Sequence, residues 1–72
     1  MKITAFIERD LESGFYIAIV PSIPGAHTQA ATLDELQINL KEVVELCLKE
    51  LAPEERNALP EFFAVQQLEV MG

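Results

Sequence analysis

Two side chains could act as a nucleophile or general base near neutral pH, Cys47 and His27, and each residue type occurs once. A thiol paired with an imidazole would serve covalent catalysis. Cys47, however, falls on the apolar stripe of a helical segment, where a thiol behaves as a small hydrophobe. It is read as core. His27 has no second nitrogen or thiolate spaced to join it around a metal, so it reads as a solvated or interface histidine. Glu8, Asp10 and Glu12 form the other candidate group. Strand alternation would put Glu8 and Asp10 on one face, where two carboxylates could hold magnesium for phosphoryl transfer. Carboxylates at a strand end and turn are more often simply hydrated. Glu54, Glu55 and Glu61 flank prolines, as a wet loop does, and would also suit docking of a basic partner. No G-x-G-x-x-G, Walker or G-x-S-x-G motif is present. No catalytic residue, metal ligand or cofactor is assigned, and the chain is expected not to be an enzyme.

These residues sit in a short, acidic, apolar chain. It has 72 residues, 12 Asp and Glu against 5 Lys and Arg, and a net charge of −7 with a pI near 4.4. Nucleic-acid binding rests on clustered Lys and Arg, which five scattered bases do not supply. An acidic surface repels nucleic acids and anionic membranes and suits a basic protein partner, besides keeping an apolar protein soluble. Half the residues are hydrophobic and the mean hydropathy is +0.20, which excludes disorder. A chain this small hides only about 60% of the surface its unfolded form exposes. One cysteine gives no internal disulfide and there is no zinc set, so self-association is the remaining support. A homodimer or higher homo-oligomer of one domain, residues 1–72, is expected. Residues 13–33 carry no Asp, Glu, Lys or Arg. Pro21, Pro24 and Gly25 break that stretch, and Ser22, Thr28 and Gln29 make it too polar to span a bilayer. The N-terminus lacks the apolar run and cleavage site of a signal peptide, and a cytoplasmic location is expected.

The elements follow from periodicity. Lys2 to Asp10 alternates, with Ile3, Ala5 and Ile7 on one side, as a half-buried strand does. Leu11-Glu12-Ser13-Gly14 reads as a turn, and Phe15 to Val20 as a strand apolar on both faces. The prolines at 21 and 24 impose a rigid connection to a short third strand over Ala26 to Ala31. Thr32 and Glu35 then form a capping box. Leu33, Leu36, Leu40, Val43, Cys47 and Leu51 recur at three- and four-residue steps, widened by Val44 and Leu48, and Pro53 ends the helix. Pro53 to Pro60 is a polar bend with one helical turn opened by Pro53. Phe62 to Val70 alternates again and predicts a last strand. The result is an α+β, β-β-β-α-β domain, a mostly antiparallel sheet with one long helix on one face. Phe and Ile on both sides of the hairpin point to a partner molecule over the other face.

The stretch from Ile3 to Pro21 resembles the opening of the HicB-like antitoxin family. Ile23-Pro24-Gly25-Ala26-His27-Thr28-Gln29-Ala30, followed by Ala31-Thr32-Leu33-Asp34-Glu35-Leu36, resembles that family's Pro-Gly pair, small residue, Thr-x-small step and T-L-x-E helix start. The similarity covers roughly Met1 to Leu51. The family often has Cys where Ala26 stands and Gly where Ala30 stands. The resemblance implies a partial RNase H-like fold and a pairing with a small basic HicA-like toxin, an mRNA-cleaving RNase that the antitoxin covers. Full-length family members add a C-terminal DNA-binding domain. This chain stops at Gly72, after the last expected strand, so operator binding is not expected of it.

The leading expectation is a non-catalytic antitoxin-type binding protein. Its partner contacts are assigned to His27, Thr28, Gln29, Glu54 and Glu55. The alternatives are a divalent-metal nuclease using Glu8 and Asp10, and a structural homo-oligomer without a toxin.

Overall fold

A computed structural model describes residues 2–72. Three short strands, β1 (Phe6–Arg9), β2 (Tyr16–Ile19) and β3 (His27–Ala30), precede a long helix α1 (Leu33–Glu50) and a single-turn helix α2 (Pro53–Asn57). The sheet is antiparallel in the order β1-β2-β3. Phe6 pairs with Ile19 and Arg9 with Tyr16; across the second ladder Tyr16 pairs with Ala30 and Ile19 with His27. The α+β class and the β-β-β-α order agree with the sequence reading.

Local chemistry makes each corner. In the β1–β2 turn the Asp10 carboxylate accepts from the Ser13 hydroxyl at 2.7 Å and the Ser13 amide at 3.2 Å. Gly14, at φ +76, lets its own amide reach back to the Asp10 carbonyl at 2.8 Å. The 20–26 connection is closed by the Val20 amide donating to the Ala26 carbonyl at 2.9 Å, with Gly25 at φ +77. Thr32 caps α1: its Oγ1 accepts from the Glu35 amide at 3.2 Å, while Asp34 and Glu35 place negative charge in the first turn. Pro53 opens α2 at a position where its missing N–H costs nothing.

The core lies between the sheet and α1, which sits mainly over β3 and β2. Ala18, Ala30 and Leu36 form one buried cluster, with Tyr16 and Leu40 against it. Val20, Ile23 and Ala26 form a second, covered by Ile3, Ala5, Val44, Cys47 and Leu48. Small residues on β2 and β3 let the helix approach closely, so Ala18 has no exposed surface at all.

Three expectations are corrected. The strand expected over Phe62 to Val70 is not formed, and residues 60–72 are all exposed. A strand is stable only against a partner edge. Within one chain this segment meets the sheet at its first residue, where the Phe62 ring lies edge-on to Phe6 with centroids 6.2 Å apart. Second, the first strand is shorter than Lys2 to Asp10, and β1 is exposed throughout because α1 lies over its neighbours. Third, Leu33 begins the helical stripe in sequence but is exposed, since the helix enters the sheet only at Leu36.

Candidate functional site

Strand alternation divides the sheet into two unlike faces. Toward α1 point Ile7, Ala18 and Thr28 in one cross-strand row and Arg9, Tyr16 and Ala30 in the next. The Arg9 guanidinium stands 5.7 Å from the centre of the Tyr16 ring, a cation–π contact that closes the end of this face. On the outer face the rows are Phe6–Ile19–His27 and Glu8–Ile17–Gln29. Phe6 and Ile19 remain 38% and 40% exposed, and Phe15 joins them at the strand entrance. The Phe62 ring lies against the Phe6 end of this surface. The result is an apolar strip crossing three strands, bordered by an imidazole, a carboxamide and the Glu8 carboxylate. Such a strip, wetted on a central strand, is suited to bury against another protein.

Of the five residues assigned to partner contact, His27 and Gln29 project from this outer face, both exposed. Thr28, between them, points toward the helix side and is half-buried. Glu54 and Glu55 belong to a different element, the exposed first turn of α2. The Glu55 carboxylate accepts from the Ala52 amide at 3.0 Å, so it helps hold the bend that follows α1. Phe6, Phe15, Ile17 and Ile19 were not singled out from the sequence. Their signal was the apolar character of the hairpin on both sides.

The chemistry-bearing residues are kept apart. Cys47 packs on Val20, Ile23 and Ala26 beneath the helix, whereas His27 projects from the opposite face of the sheet. The two cannot form a nucleophile–base pair in this fold. Asp10 lies beyond the end of β1, and its carboxylate is engaged by Ser13. The Ser13 hydroxyl, and then the Ser13 amide, hold Asp10 below the ordinary aspartate pKa by favouring its charged form. Among the described residues no three His, Cys, Asp or Glu side chains gather in a metal-binding group. No helix among them is long and apolar enough to cross a membrane.

Comparison with known proteins gives relatives along nearly the whole chain. A UPF0150 protein of Thermotoga maritima is 49% identical over 67 residues, covering 93% of this chain and 87% of its own. A UPF0150 protein of Archaeoglobus fulgidus is 47% identical over 70 residues, covering 97% of this chain and 96% of its own. One from Synechocystis is 44% identical over 64 residues, covering 89% and 87% respectively. No family model and no solved structure matches the chain. Relatives of that identity and coverage, from bacteria and an archaeon alike, establish that the chain belongs to the UPF0150 family.

Proposed function

We propose that this UPF0150 protein is a non-catalytic, antitoxin-type binding protein that covers a small basic HicA-like mRNA-cleaving toxin. The observation that carries the reading is the outer face of the sheet. A central strand normally hides its apolar side chains, yet Ile19 on β2 stays open beside Phe6 and Phe15. The resemblance of residues 1–51 to HicB-like antitoxins supplies the class of partner, and the β-β-β-α order fits their partial RNase H-like fold. The charge supports the same partner: at −7 this protein attracts a cationic RNase and orients the encounter, while the apolar strip provides the affinity. His27 and Gln29 would give the strip its polar border. No chemistry is required of the protein itself, because covering the toxin is enough to keep RNA from its surface.

The test is inhibition of RNA cleavage. A HicA-like toxin, sought first as a small basic protein encoded beside this one, is purified, and its cleavage of an mRNA is measured as this protein is titrated in. Cleavage should fall to background near equimolar protein. Replacing Ile19 by Asp should leave the circular-dichroism spectrum unchanged and weaken inhibition at least roughly tenfold, since a charge would be buried in the apolar strip. Unabated cleavage under a large excess of the natural protein sinks the reading. Undiminished inhibition by the Ile19→Asp variant would move the docking surface elsewhere.

A further inference from the structure

A chain of 8.0 kDa folded to ordinary compactness exposes roughly 4,500 Å². This one exposes 6173 Å². The excess, on the order of 1,700 Å², exceeds the ~800 Å² that each partner buries in a standard protein interface. The radius of gyration, 14.1 Å, tells the same story against ~11 Å for a compact chain of this length. The C-terminal segment, residues 61–72, is exposed at every position. It leaves the body at Phe62 and carries exposed Leu68, Val70 and Met71.

The rest of the molecule has an opening of matching character. β1 is an edge strand, so one side of its backbone has no ladder partner. Beside it, between α1 and the residues that lead into β1, runs a largely apolar groove of ≈ 420 Å³ walled by Ile3, Ala5, Val20, Leu40, Val44 and Leu48, with Gln37, Lys41 and Glu45 of α1 also lining it. A second hollow, of ≈ 370 Å³, continues it past Ile7, Leu33 and Leu36. The groove exists because α1 leans over β3 and β2 and leaves the β1 flank of its apolar stripe uncovered. A fourth strand added to the β1 edge would lie in this groove. The C-terminal segment has the required alternation, with Ala64, Gln66, Leu68 and Val70 on one side. It lacks Pro and Gly from Glu61 to Met71, and its only charges there are Glu61 and Glu69. Its own attachment directs it elsewhere: Pro60 to Ala64 lie near Thr4 and Phe6 with Pro21 and Ser22, by the outer face and not in the groove.

We propose that the occupant of the groove is the C-terminal arm of a second copy, exchanged reciprocally in a two-fold dimer. Each arm adds as a fourth strand to the β1 edge of the other copy and seats Leu68 and Val70 against the helix stripe. Exchange satisfies at once the unpaired edge, the unpaired arm and the surplus apolar surface, and reciprocity closes the assembly at two copies. It concerns a different side of the sheet from the toxin-facing strip and stands whether or not a toxin exists.

The test uses the full chain alone. Light scattering after gel filtration should give twice 8.0 kDa. In a sample mixed from isotope-labelled and unlabelled protein, isotope-filtered NOEs should join Leu68 and Val70 methyls of one copy to Ile3, Ile7 or Leu40 of the other. Because the arm contributes nothing to the core within one chain, Leu68→Asp with Val70→Asp should keep the helix signal in circular dichroism. The dimer dissociation constant should rise roughly a hundredfold or more. Leu11→Asp, at a still more exposed leucine in the hairpin turn, should leave it unchanged. A monomer of 8.0 kDa overturns the proposal. So does a dimer whose arm NOEs are all within one chain, or one held through the outer face and indifferent to the arm substitutions.

Discussion

Asp10 shows how a single side chain can look catalytic and be structural. Its carboxylate organises the hairpin turn by accepting two hydrogen bonds from Ser13, and the Ser13 hydroxyl in turn accepts from the Phe15 amide at 3.1 Å. That network favours the ionised form, which gives the sign of its pH dependence. The folded-state pKa lies below the unfolded one, so the contribution is fully present above the unfolded value. It is lost as pH falls through the lowered folded value. A carboxyl-detected NMR titration should therefore show Asp10 titrating below the ordinary aspartate value. Asp10→Asn should lower stability at neutral pH, where that contribution is fully present, and change it little below the lowered folded value, where the contribution is already lost. An Asp10 midpoint at or above the ordinary aspartate value would contradict the turn network. Thr32 belongs to the same scale: one hydroxyl ends the β3–α1 link by capping the helix.

The elements depend on one another unequally. α1 is marginal by itself, because 18 residues of mixed polarity gain most of their stability from packing. Leu36 is its anchor. It is fully buried among Ala18 and Ala30, and Leu40, one turn on, packs against both clusters. Leu36→Ala should cost about 2–5 kcal/mol, transfer and cavity together. That is a large share of the roughly 4–11 kcal/mol available to a domain of this length. Ile38→Ala, on the exposed side of the same helix, should change stability by no more than about 0.5 kcal/mol. Urea titrations of the two variants check the contrast, and equal effects would mean that α1 packs by a different face. At this scale the sequence reading was strongest for the helix and its cap. Spacing, Thr32 and Pro53 are all local signals. It was weakest for Phe62 to Val70, where alternation marks the capacity to be a strand but pairing requires an edge that the chain's own path does not reach.

For the whole molecule the dominant fact is charge. At −7, two copies repel each other, whereas a basic partner is attracted. Salt should therefore act oppositely on the two associations. Raising ionic strength from low to physiological should tighten self-association and slow the on-rate for a basic toxin, because screening removes repulsion in one case and steering in the other. Sedimentation equilibrium and stopped-flow binding across a salt series measure the two trends. If both responses had the same sign, the apolar strip and groove would not be acting as separate surfaces. The two surfaces are separate because one lies on the outer face of the sheet and the other along the β1 edge beneath α1.

The sequence by itself determined the β-β-β-α order, the helix and its cap, the turn at Gly14, and the absence of catalytic motifs. Each rests on neighbours within a few residues. It also indicated an interface, through an apolar hairpin with no charge between residues 13 and 33. Only the tertiary structure decided which side of each strand that interface uses. Register put His27 and Gln29 on the outer face with Phe6 and Ile19, turned Thr28 inward, and placed Cys47 across the sheet from the only imidazole. It likewise left the β1 edge and the C-terminal arm unpaired. The physical reason is that facing and pairing depend on which strands meet, and on where the helix leans, over distances that local periodicity does not encode.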